Sequence, residues 1–233
     1  MFLYGKNSVS ERLKNNPQSI KKIFLQDNFS ASDIEKLIQV KQIPLKRISK
    51  KGLYRIKPAE SLQGIVAEVD KFKYSHIEDL LKKEPQVSFI FLDRIFDPQN
   101  LGAIIRSAAC FGNFAVVIPK HKACQITEAV LHVASGGENF VPIVEPANLT
   151  KAILAVKKGG FWLVGAFLSE GEDIRKASLP FPLGILLGSE GSGIRPGLEK
   201  HVDLKVNIPM GGAPLSFNVS WLSWRNIGIS WRK

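Results

Sequence analysis

Asn100 and Arg106 stand six residues apart in "DPQNLGAIIR", directly after the apolar run "VSFIFL". An amide both donates and accepts hydrogen bonds. A guanidinium carries a permanent charge on a planar fork of donors, suited to phosphate or to a developing oxyanion. Glu190 is the single acid of "LLGSEGSGI", set among Gly188, Gly191 and Gly193. Ser216 and Asn218 follow the Pro/Gly loop of "VNIPMGGAPLSFNVS" at the start of a further helix candidate. Taken singly, each has an ordinary reading: Asn100 as an N-cap, Arg106 as a solvated helix residue, Glu190 as a turn residue. Ser216 is equally an N-cap, and Asn218 a chance glycosylation triplet. Together, three polar groups beside Gly or Pro, each just after an apolar run, point to loops that hold a ligand.

Familiar chemistries do not fit these loops. "GSEGSG" lacks the G-x-G-x-x-G spacing, and no acid ends a following strand at the distance a dinucleotide ribose needs. There is no G-K-[ST] for a nucleoside triphosphate. Of His76, His121, His132 and His201, none sits in a loop beside a primed nucleophile, and no ligand cluster predicts a metal. His132 falls in mid-helix as a core or surface residue. What remains is a pocket of backbone N–H and C=O groups, able to hold a polar cofactor with an apolar body.

The elements that must position these loops alternate along the chain. The first segment reads α-β-α-β-α-β. A helix capped by Asn7 and Ser8 runs to about Asn15, and Ser32 precedes a second helix that ends near Lys41. "IKKIFL", "IPLKRI" and "GIVAEV" are strands. The polar stretch "DKFKYSH" at 70–76 marks a boundary, giving units 1–72 and 77–233. Beyond it, strands are expected at 87–92, 114–118, 141–144, 161–166, 183–188 and 204–208, and helices at 76–84, 100–112, 125–134, 147–158 and 216–230. These strands are continuous apolar runs, as when helices cover both sheet faces. The order predicts an α/β fold with a mostly parallel sheet, whose ligand lies beyond the carboxyl ends of the strands.

Apolar content of 45% and charged content of 23% fit a globular protein. No apolar run approaches the roughly 18 to 20 residues that cross a bilayer. The opening "MFLYGKNSVSERLK" lacks the apolar core of a secretory signal, so a cytoplasmic protein without membrane partners is expected. Cys110 and Cys124, without a C-x-x-C pattern, predict reduced and mostly buried thiols. Net charge is +11, and residues 1–75 hold 15 Lys/Arg against 7 Asp/Glu, a net +8. Such an excess serves solubility or draws a polyanion, with nucleic acid the leading partner.

At the three loops the sequence resembles the SpoU/TrmH family of RNA ribose 2′-O-methyltransferases, in the SPOUT superfamily. The residues that carry the resemblance are "NLGAIIR" with Asn100 and Arg106, "LLGSEGSGI" with Glu190, and "IPMGGAPLSFNVS" with Ser216 and Asn218. All three occur in order. The first segment, ending in "LQGIVAEV", is similar to the ribosomal-protein-like substrate-binding domain of the ribosomal RNA members.

The resemblance implies S-adenosylmethionine as cofactor, contacted mainly through backbone groups at Gly188, Ile208 and Phe217. It implies a deep trefoil knot in the second unit, an exception to ordinary topology rules, and a homodimer. It assigns Asn100, Arg106, Glu190, Ser216 and Asn218 to the reaction, and it favours a guanosine of large-subunit ribosomal RNA as target. A transfer RNA target, or a non-catalytic RNA-binding protein on the same fold, are the alternatives. Two departures stand out. The family usually has Leu where Phe217 stands, and small residues where this chain has "WLSWRNIGISWRK". Trp221, Trp224 and Trp231 therefore predict a repacked terminal helix and dimer face.

Overall fold

The computed structural model describes residues 1–82, 86–189 and 191–209, and these form two sheets. The first contains β1 (Phe2–Tyr4), β2 (Ile20–Gln26), β3 (Leu45–Ile48) and β4 (Ile65–Val69), in the order β1-β4-β2-β3. β4 is antiparallel to both neighbours, and β3 is parallel to β2. Helices α1 (Lys6–Asn15), α2 (Ser32–Val40) and α3 (Lys50–Ile56) complete this unit.

Two expected caps are corrected. Helix α1 is entered through Gly5 at φ 89, with no side-chain cap, so Asn7 and Ser8 lie inside the helix. Ser32 likewise lies inside α2, whose N-cap is Ala31. Glu35 reaches back to accept from the Ala31 N–H at 3.3 Å, and that contact serves the terminus instead.

The second sheet has seven strands: β5 (Ser88–Leu92), β6 (Phe114–Val117), β7 (Ile143–Val144), β8 (Trp162–Phe167), β9 (Glu172–Asp173), β10 (Leu183–Leu187) and β11 (Leu204–Asn207). Their order is β7-β6-β5-β10-β8-β11-β9, and every pairing is parallel. All residues of β5, β6 and β10 are buried, which is why these strands read as unbroken apolar runs. Around the sheet lie α4 (Ile77–Leu81), α5 (Pro98–Phe111), α6 (Glu128–Ala134), α7 (Leu149–Lys158) and α8 (Pro196–Glu199). Strands β1 and β9 and helix α8 were not expected from the sequence. The expected helix at 216–230 lies outside the described residues.

One apolar core joins the two units. Leu3, Val9 and Leu13 belong to the same buried cluster as Leu101, Ile104 and Leu131. A second cluster on the other face of the large sheet gathers Phe89, Phe91, Ile153 and Phe161. Polar ties cross the seam as well. Arg12 Nη2 meets Glu138 Oε1 at 2.9 Å, with both side chains buried, and Lys57 pairs with Glu128. His132 of α6 stacks on Tyr4 with ring centroids 4.2 Å apart, and its Nε2 lies 3.0 Å from Ser61 Oγ. Gly136, at φ 94, makes the closest approach: a Cβ there would lie 2.4 Å from Glu11 Cβ. Only glycine lets α1 sit this near the corner after α6.

Candidate active site

Because all seven strands of the large sheet are parallel, the loops after β5, β10, β8 and β11 leave from one edge. The loop after β5 begins with Asp93, which is fully buried. Its N–H donates to the Leu187 carbonyl at 2.8 Å, tying the end of β5 to the end of β10. Its Oδ2 accepts from the Arg195 N–H at 3.0 Å, and its Oδ1 lies 2.7 Å from Arg195 Nε. The second approach is an ion pair without the alignment of a hydrogen bond. Arg94 Nη2 adds a bond to the Gly193 carbonyl at 3.3 Å. The loop after β5 thus clamps the glycine loop after β10.

That glycine loop is tightly closed. Ser189 and Gly193 exchange backbone hydrogen bonds at 3.2 and 2.9 Å. A Cβ on Gly188 would lie 2.1 Å from the Gly193 carbonyl carbon, so this position excludes every side chain. Ile208 follows β11 on the same edge and is half-buried. Next to it, Asn207 Oδ1 is buried without a hydrogen-bond partner among the described residues. A buried orphan acceptor is costly unless something donates to it. Strand-end backbone groups with an unfilled acceptor match a polar cofactor that carries N–H or hydroxyl donors.

Asn100 is not the cap of α5. Asp97 fills that role by accepting from the Gln99 N–H at 2.8 Å, and Pro98 opens the helix. Asn100 is the third helical residue and only 5% exposed. Arg106 is exposed on the same helix. Six residues of α-helix separate them by about 9 Å along the axis and about 120° around it. Arg106 lines a cavity of about 420 Å³ with Asn7, Ser10 and Lys14 of α1 and with Ser135 and Phe140 beyond α6. Asn100 does not line this cavity, so the two side chains leave α5 toward different surroundings. Glu190, Ser216, Phe217 and Asn218 lie outside the described residues.

Sequence reasoning missed Asp93, Arg94 and Arg195. The available signal was an acid and a base directly after an apolar strand, in "FLDRIF". Cys110 is corrected: it is exposed near the end of α5 and lines the Arg106 cavity. Cys124 is half-buried, and burial, aided by the negative charge of Asp97, pushes its thiol pKa up.

Residues 88–221 match the model of the SpoU rRNA Methylase family, and residues 2–75 match that of the RNA 2′-O ribose methyltransferase substrate-binding domain. The chain belongs to the SpoU rRNA methylase family. Among its relatives is a 23S rRNA (guanosine-2′-O-)-methyltransferase, RlmB, of Coxiella burnetii, 36% identical over 94% of this chain and 90% of the relative. Another is a putative TrmH family tRNA/rRNA methyltransferase, YacO, of Bacillus subtilis, 31% identical with the same coverage of both chains. The fold is that of an AdoMet-bound rRNA methyltransferase from Sinorhizobium meliloti, at a TM-score of 0.78 and 21% identity over 95% of this chain and 83% of that one.

Proposed function

We propose that this chain is an S-adenosylmethionine-dependent methyltransferase acting on a ribose 2′-oxygen of ribosomal RNA, most specifically a guanosine of the large-subunit RNA. The observation that carries the proposal is the ordered match of both units. A substrate-binding model covers residues 2–75 and a methylase model covers 88–221, with Arg106 and the loop at Gly188 folded inside the second. Relatives named as 23S rRNA guanosine-2′-O-methyltransferases support the choice of RNA.

The residues present suit the cofactor. Backbone groups at Gly188, Ile208 and Phe217 would hold it, and Asn207 Oδ1 offers an acceptor for one of its donors. When bound, S-adenosylmethionine supplies an electrophilic methyl group on a sulfonium. The protein's own task is then positioning and charge. A guanidinium is a permanent cation and a poor proton acceptor, so the part of Arg106 is electrostatic. That side chain grips the phosphate beside the target ribose and stabilises the negative charge that develops on the 2′-oxygen, while the proton leaves to phosphate or water. Asn100, being buried, is a positioning residue at the first turn of α5. Glu190 holds a ribose hydroxyl or the arginine through charge-assisted bonds, and Ser216 and Asn218 orient the substrate.

The second unit carries the trefoil knot of its superfamily, and the protein works as a homodimer in the cytoplasm. Large exposed side chains such as Phe96, at 61% exposure, support a further contact surface. The basic first unit (1–72) grips the RNA, and the unit from 77 to 233 performs the transfer. The test is single-turnover transfer of labelled methyl to large-subunit RNA transcripts, with transfer RNA as the competing substrate. It is joined to a map of 2′-O-methyl sites in cells with and without the protein. Equal sites in both would refute the proposal.

A further inference from the structure

The Arg106 cavity has a neighbour. A second cavity, of about 580 Å³, opens between α1 and the segment that joins the two sheets, and Phe140 lines both. Both volumes lie within the usual range of ligand sites. Along α1, Lys14 faces the first and Asn15 the second, so the two are successive stations of one groove along the seam.

The charges in this groove are unevenly committed. Glu138 is taken by Arg12 at 2.9 Å, and Glu11 by Lys14 at 2.8 Å. Asp70 lies 3.4 Å from Lys21. Lys14 and Asp70 stay about half exposed within their pairs; among the described lining residues, the cations outside any ion pair are Arg106 at one end and Lys71 and Lys73 at the other, all exposed. Between them stands Phe140, a phenyl ring 55% exposed. Cations at both ends with an aromatic face between them are the parts of a single-strand site: phosphates bind the cations, and an unpaired base stacks on the ring. A duplex keeps its bases stacked on each other and would leave the ring unused.

We infer that the seam between the two sheets is a track for a single-stranded segment of the RNA, with one base stacked on Phe140 and flanking phosphates at Lys71/Lys73 and Arg106. This rests on the proposed methyltransferase activity and adds to it. The grip of the first unit and the chemistry of the second meet at this seam, because the substrate lies across the joint that they form together. The structure offers a built-in contrast. Lys50 and Lys51 of α3 are also exposed but line a different cavity, on the first unit alone.

The experiment uses the full chain and a fluorescent mixed-sequence single-stranded RNA on the order of ten nucleotides long, the scale of such sites, read by anisotropy over a salt series. Each phosphate contact on a single strand contributes a slope of roughly 0.7. Lys71→Gln with Lys73→Gln should therefore flatten the salt dependence by about 1.4. Phe140→Ala should weaken binding on the order of tenfold, within the span for one stacked base, and leave S-adenosylmethionine affinity unchanged by calorimetry. Lys50→Gln with Lys51→Gln should cost clearly less than the seam pair. The inference is overturned if the α3 pair costs as much as the seam pair. It is equally overturned if Phe140→Ala changes only the sedimentation of the protein, which would make the ring a contact between copies. Methyl transfer to large-subunit transcripts, run in parallel on the unaltered chain, separates the two claims. Transfer with insensitive seam variants sinks only the track, whereas no transfer sinks the activity and leaves the anisotropy result to judge the track alone.

Discussion

Asp93→Asn tests whether the glycine loop proposed to hold the cofactor is held from behind. The buried carboxylate makes two approaches to Arg195, one to its N–H at 3.0 Å and one to its Nε at 2.7 Å. A hydrogen bond to a charged group contributes about 1.5–3 kcal/mol. Breaking a fully buried pair costs more, about 3–5 kcal/mol, but the Arg195 side chain is 41% exposed and water would solvate it once released. The lower range therefore applies. Asparagine keeps one acceptor for the Arg195 N–H, so Asp93→Asn belongs near 1.5 kcal/mol and Asp93→Ala near 3 kcal/mol. If the freed loop must be reordered each time the cofactor binds, affinity for S-adenosylmethionine falls roughly tenfold for the amide and on the order of a hundredfold for alanine. Titration calorimetry reads this directly, with circular dichroism to establish that both variants are folded. Folded variants that bind the cofactor with unaltered affinity would refute the clamp.

Arg106→Lys keeps the charge and loses the planar fork, so methyl transfer should drop by on the order of a hundredfold while S-adenosylmethionine affinity holds; near-normal single-turnover rates would sink the role given to Arg106. Gly102→Ala would set a Cβ 2.5 Å from Val133 Cβ and 2.9 Å from the Val130 carbonyl oxygen, where α5 meets α6. Overpacking of this kind costs about 1–3 kcal/mol, to be read as a lower urea midpoint. Glu128 supplies a pH dependence. Burial pushes its pKa up, but the Lys57 ammonium and the Phe2 N–H outweigh that and hold it below the ordinary carboxylate value. Its contribution is therefore present above that ordinary value and lost as pH falls through the depressed native one. Glu128→Gln should be less stable than the unaltered chain at pH 7, and the gap should close in acid; urea curves that stay equally far apart at every pH would count against the Lys57 tie.

The large sheet was legible because its strands advertise themselves. "SFIFL", "FAVV" and "LGILL" are buried on both faces, so their apolar runs needed no alternation to be seen. Strands β1 and β9, of three and two residues, are too short to show a period, and only partners distant in sequence make them strands. Helix starts misled where the backbone did the work: Gly5 turns the chain into α1 at a positive φ, which residue type alone at 7 and 8 could not signal. The sequence put Asn100 and Arg106 on one helix, as α5 does, but their divergence around it follows from burial. Asp93 was not legible as a clamp, because its partner Arg195 is 102 residues away. Nothing in the local sequence marks so distant a pair.

The shared core has a consequence for synthesis. Leu3, Val9 and Leu13 share one buried cluster with Leu101, Ile104 and Leu131, so the first unit leaves the ribosome before its apolar cover exists. The chain must grow from β4, ending at Val69, to the corner near Phe140 before α1 can be covered by α6 and the turn that follows it. At about 5–20 residues per second, that interval is on the order of four to fifteen seconds. For that long the nascent protein presents a sticky helix face beside a strongly basic surface, within reach of the ribosome's own RNA. A chain of this architecture should therefore depend on ribosome-associated holdases more than its modest size suggests.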